Sequence, residues 1–220
     1  MKQGVFISSV QTPASTYNLV DLTTLKTLLG VTTSANDAYF TIVIGQASTA
    51  AQTYCNNPFV VETIQDQIWP PRDGIPWIFH GDRNALQLSR WPLISITSVV
   101  ETIANVQTTL VNGTDYIADM KHGQLIRLDS YGRPTKWNTD PVIVVYSAGY
   151  ATVPADVFDT VIEMVKQRWY AQTRDPAIRS RNVSGIMETS YWFGSGPGSD
   201  GGLPPDIQAR LDKYRVPVIA

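Results

Sequence analysis

Few side chains in this 220-residue sequence have the types and spacing that chemistry needs. The two histidines, His80 and His122, each precede a glycine in turn-like sequence, and neither belongs to an HExxH or HxH spacing that would aim two imidazoles at one metal. The single cysteine, Cys55, closes a helical pattern at its C-terminal end. A thiolate is favoured at the opposite end of a helix, so Cys55 reads as a half-buried small hydrophobe rather than a nucleophile. One cysteine also excludes an intrachain disulfide and a multi-thiolate zinc site. Carboxylates are dispersed at Asp66, Asp73, Asp82, Asp115, Asp119, Asp129 and Asp140. A glycosidase pair could lie among them, because only separation in space identifies one. No Gly-x-Ser-x-Gly elbow and no Gly-Lys-Ser/Thr phosphate loop is present, and the glycines of 194–202 (GSGPGSDGG) have the composition of a linker. The expectation is a protein that is not an enzyme and holds neither cofactor nor metal.

Residues suited to contact are more informative. Lys166, Arg168, Arg174, Arg179 and Arg181 are opposed only by Asp175, so 166–181 carries +4 while the remaining residues carry −6. Such a run is either a solvated helix end or a patch facing phosphates or an acidic protein partner. Met187 and the consecutive aromatics Tyr191, Trp192 and Phe193 suit a subunit interface, since aromatic and Met side chains are enriched where chains meet. The end of the chain, Tyr214, Arg215, Val216, Pro217, Val218 and Ile219, is an apolar tail on a glycine-rich leash, a candidate for docking into a neighbour. Only 16% of residues are charged, against about 25% in an ordinary soluble domain, and the net charge is −2. That balance excludes a protein whose whole surface binds nucleic acid, and it suits a surface covered by other subunits. A rival reading is a carbohydrate-binding β module, motivated by Trp69, Trp77, Trp91 and Trp137 in loop-rich β sequence.

The elements that must position these residues form an α+β pattern. The first ~55 residues read as helical: Asp21 caps a short helix stopped by Gly30, then Ser34 and Asp37 open a longer one with a stripe of Ala38, Ile42, Ala47, Ala51 and Tyr54. From residue 60 to 150 the period shortens, with Ile64, Asp66 and Ile68 alternating and strand-like runs at 75–79, 86–88, 94–102, 116–118, 124–128 and 142–146. Helix returns after Pro154 with Val157, Val161, Val165 and Trp169 four apart, and a last short helix opens at Pro205 and Asp206. The expected fold is therefore a helical core of two N-terminal helices, one long later helix and a short final helix, interrupted by an antiparallel β-rich subdomain. The domain limits are 1–58 (helical), 59–150 (β-rich insertion), 151–193 (helical) and 194–220 (linker and docking segment). Residues 1–10 lack the apolar stretch of a secretory signal, and no apolar run approaches the ~20 residues of a membrane span, so the sequence predicts a soluble chain made in a cytoplasm.

In order, Leu19-Val20-Asp21-Leu22 through Gly30-Val31, Leu86-Gln87-Leu88-Ser89-Arg90-Trp91-Pro92-Leu93-Ile94-Ser95-Ile96-Thr97-Ser98-Val99, then Tyr116, Gly123 and Trp137, and Val142-Ile143-Val144-Val145-Tyr146-Ser147-Ala148-Gly149-Tyr150 leading into Val153-Pro154-Ala155-Asp156-Val157, resemble the tailed-bacteriophage head-tail connectors, the adaptor or head-completion proteins. The ordered set spans about residues 19–173. What the resemblance implies is a structural virion protein, assembled in the host cytoplasm and located at the head-tail junction. It forms a ring of copies of itself, commonly twelve, docks to the portal protein, extends the channel through which DNA passes without sequence-specific recognition, and offers a surface to a tail or tail-completion protein. It also implies no cofactor and no membrane, and a C-terminal region that reaches toward the portal or an adjacent subunit.

Overall fold

A computed structural model describes residues 6–70, 85–138, 140–171, 203–216 and, for the backbone, 180–183 and 187–190. The fold is α+β, and its described residues divide into two compact units: residues up to Ser15 with Phe59–Thr152, and Thr16–Pro58 with those from Val153 on.

The first unit contains β1 (Phe6–Thr12), β2 (Glu62–Ile68), β3 (Ala85–Gln87), β4 (Leu93–Ile103), β5 (Val106–Thr109), β6 (Tyr116–Asp119), β7 (Gln124–Arg127) and β8 (Val142–Ala148). They pair antiparallel as a five-stranded sheet in the order β1-β2-β8-β4-β5 and a three-stranded sheet in the order β3-β7-β6. The alternation at Ile64, Asp66 and Ile68 is realised as expected: these positions of β2 are buried and those between them half-buried. Ile64 and Ile68 join Val142, Val144 and Tyr146 of β8, Leu86, Leu125 and Trp137 in one core. The expected strand at 75–79 lies outside the described residues. Residues 6–12, expected to be part of a helical stretch, instead form edge strand β1 on β2. Their Ser, Val and Thr lower helix propensity, but what makes them a strand is the free edge of a sheet formed ~60 residues later.

Two carboxylates buried in this unit, Asp66 and Glu101, are paired with donors from other strands or loops. Asp66, fully buried, accepts hydrogen bonds from the Tyr146 hydroxyl (2.6 Å), the Ser89 amide (2.8 Å) and the Ser89 hydroxyl (2.9 Å). Burial and the adjacent Asp66 carboxylate push the Tyr146 hydroxyl pKa far up, which favours the protonated form that donates to Asp66. Buried Glu101 on β4 accepts from Arg127 of β7 at 3.1 Å, while the same guanidinium donates to the carbonyls of Asp115 and Leu128.

The second unit is built from α1 (Leu22–Leu29), α2 (Asp37–Cys55), α3 (Ala155–Ala171), the hairpin β9 (Ser180–Val183) and β10 (Met187–Ser190), and α4 (Pro205–Leu211) with a 3-10 turn at Asp212–Tyr214. Asp21 caps α1 as expected, its carboxylate accepting from the Thr24 amide at 2.8 Å, and the Thr24 hydrogen bonds hold its pKa below the usual range. Gly30 ends α1 in the left-handed region at φ 68°. The start of α2 differs from the expected capping box: Ser34 contributes only its carbonyl, to the Asp37 amide, and Asn36 precedes the helix without a side-chain cap. The buried stripe differs too. Phe40, Val43, Ile44, Ala47, Ser48, Ala51 and Cys55 are buried, whereas Ala38 is exposed and Ile42 is 61% exposed. Rotating the helix to bury Phe40 and Ile44 removes more apolar area from water than the Ala38–Ile42 face would. On α3 the expected face is the observed one, with Val157, Val161 and Val165 fully buried.

The chain leaves the helices at Pro58 and returns at Val153. Between these points β2 and β8 are neighbours, with Glu62 opposite Ala148. Just beyond that pair Gly149, at φ +123°, lies so close to the backbone of Val60 that a Cβ there would be 2.0 Å from the Val60 carbonyl oxygen. Gly149→Ala therefore combines a backbone conformation reserved for glycine with a clash against main chain, and is expected to lower unfolding free energy by at least about 2 kcal/mol in denaturant titration. Tyr146→Phe removes one of the donors to Asp66 without changing packing volume. The expected loss is about 1–3 kcal/mol, read as a lowered midpoint in the same titration.

Candidate functional site

The residues singled out for contact fall, where described, at two places in the helical unit. The first is the meeting of the end of α3 with the beginning of α2. There Trp169, near the end of α3, packs its ring 4.7 Å from that of Phe40 and 6.0 Å from that of Tyr39. Arg168 donates to the Gln46 side chain at 2.6 Å, which holds the guanidinium at the surface. Lys166 is half-buried, and Tyr170, 67% exposed, stands beside them. Arg181 follows in β9, where it is in register with Thr189, while Arg174 and Arg179 lie outside the described residues. A basic helix end is favoured by the helix dipole, and here it is flanked by aromatic rings.

The second place is where the C-terminal segment meets α2 and α3. Pro at the start of α4 and buried Ile207 and Leu211 set the helix against its neighbours. From Leu211 onward the contacts are specific. The Tyr54 hydroxyl donates to Asp212 at 2.6 Å, and the Arg215 guanidinium lies 5.3 Å from the centre of the Tyr54 ring. The Val216 amide donates to the Cys55 carbonyl at 2.8 Å, and the Asn56 side chain donates to the Val216 carbonyl. Lys213 pairs with Asp156 in the first turn of α3, and the Tyr214 hydroxyl reaches the same carboxylate at 3.4 Å. Of the proposed docking residues, Tyr214, Arg215 and Val216 are thus held by their own chain, with Val216 only 8% exposed. Pro217, Val218 and Ile219 lie outside the described residues, as do Tyr191, Trp192 and Phe193. Met187 begins β10.

The structure gives chemistry little support among the described residues. Cys55 is fully buried, its thiol pKa pushed up to about 12 by desolvation, and its sulfur faces the Leu211 carbonyl. His122 is in a surface turn with its ring 2.7 Å from Asp119. His80, Asp73 and Asp82 lie outside the described residues. No group of three or more His, Cys, Asp or Glu suited to a metal occurs among those described. An open groove of about 940 Å³ beside Glu101, Arg127, Asp129 and Lys136 lies in the β-rich unit. Of the tryptophans that motivated a glycan-binding face, Trp137 is in the core with its indole N–H on the Leu125 carbonyl, so it cannot stack on a sugar. Trp69 and Trp91 are half-buried, and Trp77 lies outside the described residues.

The contacts that sequence reading missed are Tyr54–Asp212, Asp156–Lys213 and Arg215 over Tyr54, each joining residues 57 or more positions apart. The only local hint is that Asp156 stands in the first turn of a helix, where the helix dipole alone favours an acid. Hydrogen bonding from Lys213, foremost, and its charge hold the Asp156 carboxyl pKa below the usual carboxylate range. A depressed carboxylate pKa contributes stability that is present above the unfolded value, about 3.9, and lost as pH falls through the folded one. An NMR titration of Asp156 is expected to find its midpoint below the ordinary range, and Lys213→Ala to move it back up.

Comparison with known proteins bears out the resemblance to head-tail connectors. Residues 20–77, covering α1, α2 and β2, match the model of the phage gp6-like head-tail connector protein family. Among solved structures, a chain from the neck of an empty GTA particle computed with C6 symmetry shares the fold, with a TM-score of 0.54 and 15% identity over 97% of each chain. A chain from the virion of a native gene transfer agent (GTA) particle aligns over the same shares at 14% identity and a TM-score of 0.49. No curated protein matches this chain in sequence.

Proposed function

We propose that this chain is a structural subunit of the neck that joins the head of a tailed phage or phage-like particle to its tail. Copies of it form a ring that docks to the portal protein, continues the DNA channel and presents a surface to a tail or tail-completion protein. The observation that carries this reading is the agreement of two comparisons: a connector-family match over the first helix pair, and a fold shared along 97% of the chain with a neck subunit. The low charge content supports it, because a ring subunit spends much of its surface on other chains. Ring closure requires two different, complementary faces on each copy.

In this reading the helical unit, Thr16–Pro58 with the chain from Val153 on, supplies the ring, and the β-rich unit points outward or toward the tail. Lys166, Arg168, Arg174, Arg179 and Arg181 face the channel or an acidic portal rim, Met187, Tyr191, Trp192 and Phe193 meet a neighbouring copy, and 194–220 docks. The self-contacts of Tyr214, Arg215 and Val216 make them the anchor of the docking tail, so that Pro217, Val218 and Ile219 are the part that reaches out.

Cryo-electron microscopy of particles is the direct test: the chain is expected as a ring at the portal vertex, and its absence there overturns the proposal. Removing 217–220 is expected to leave the melting temperature of the isolated chain unchanged while reducing its incorporation into particles; normal incorporation would show that the tail is not a docking element. Replacing Lys166, Arg168, Arg174, Arg179 and Arg181 with Gln is expected to change DNA retention or ejection. Loss of portal binding instead would assign the patch to a protein contact.

A further inference from the structure

The hairpin β9–β10 belongs to neither sheet of the β-rich unit. It is a two-stranded ribbon with Ser180 opposite Ser190 and Val183 opposite Met187, and among the described residues neither strand pairs with a third. Ribbons of two strands are marginal in water, because half of their backbone donors and acceptors find no strand partner. Natural proteins cover, shorten or charge such edges, or close them. This ribbon lies between α3 and α4, immediately after the basic end of α3, and itself contains Arg181.

We propose that the outer edge of β9 in one copy pairs with the outer edge of β10 in the next, so that the hairpins of a complete ring close into a single β-barrel around the channel. The inference rests on the ring reading above and deepens it by naming the contact. Strand direction supports it. Copies related by rotation about an axis present the same hairpin in the same sense, so β9 of one meets β10 of its neighbour running the opposite way, and every junction is antiparallel like the pair inside each hairpin. The five-stranded sheet has no such property: with an odd number of strands, β1 and β5 point the same way, and successive copies joined edge to edge would meet in parallel. The two hairpin edges are also different surfaces, as a contact that closes a ring must be. Closure removes the free edges entirely.

The dimensions agree with a channel for duplex DNA. Strands in a sheet are spaced about 4.8 Å apart, so twelve copies, about 24 strands, close around roughly 115 Å, a diameter of about 37 Å that strand tilt widens further. Subtracting about 5 Å of inward side chain on each side leaves more than the ~20 Å that a duplex with grooves about 8 Å deep occupies. Six copies give only about 18 Å between backbones, too narrow for passage. A barrel of this kind brings the basic residues that end α3 and enter β9 to the mouth of the bore, where they meet phosphates without reading bases.

Disulfide trapping in assembled particles tests the contact. Cys55 is buried with a strongly raised thiol pKa and stays silent, so added cysteines report alone. Particles are assembled from a mixture of chains, half carrying Asn182→Cys and half carrying one of Met187→Cys, Glu188→Cys, Thr189→Cys or Ser190→Cys, with Ser180→Cys as a second β9 position. Each chain has one added thiol, so the partners within a hairpin cannot join. Cross-linked dimers are expected in at least one mixture and in no particle built from a single variant. Particles that contain the ring yet give no dimer in any mixture overturn the barrel and leave the ring reading standing. Failure to find a ring in particles of the unaltered chain overturns both.

Discussion

The fold depends on the pairing of β2 with β8 and on the close pass of Gly149 against Val60 that completes it. The helical unit is assembled from two stretches of chain separated by ~95 residues, and Phe40 of α2 has the Trp169 ring of α3 to pack on only once those stretches meet. Closing so long a loop costs entropy, although the cost rises only slowly with length. The insertion reduces it by being a folded body whose outgoing and returning strands are neighbours in one sheet. The Trp169–Phe40 stack and the Asp156–Lys213 pair each join chain that precedes the insertion, or follows the linker, to α3.

The same unit shows how buried charge is made compatible with folding. Asp66 and Glu101 are each almost completely removed from water, a state that costs several kcal/mol per ion unless partners replace the lost hydration. Asp66 receives three donors and Glu101 a guanidinium, and in both cases the donors come from another strand or loop than the acid. These acids therefore specify which segments meet: Ser89 and Tyr146 must be near β2, and β7 near β4. Asp66, one of the carboxylates weighed for a glycosidase pair, is engaged in these sheet contacts.

In the helical unit the end of the chain is secured by polar contacts of another kind. Tyr54, Asp156 and Asn56 hold 212–216 at the surface, where each contact is worth little alone and screening weakens the ion pair. Several weak contacts of this sort place a segment without locking it, which suits a tail whose last residues are proposed to bind another molecule.

What the sequence by itself determined was local and periodic. Asp21 and Gly30 bound α1 because a side-chain oxygen and a left-handed glycine satisfy the orphan groups at helix ends, whatever lies around them. The valines of α3 and the alternation of β2 likewise follow from 3.6- and 2-residue periods, and the absence of paired histidines or thiols was plain from spacing. The tertiary structure alone decided which face of α2 is buried, since Ile42 and Phe40 are both apolar and only the area offered by α3 and α4 chooses between them. It also decided that residues 6–12 become a strand, because an edge exists only once β2 is in place, and that Tyr54 meets Asp212, because no local pattern records a partner 158 residues away.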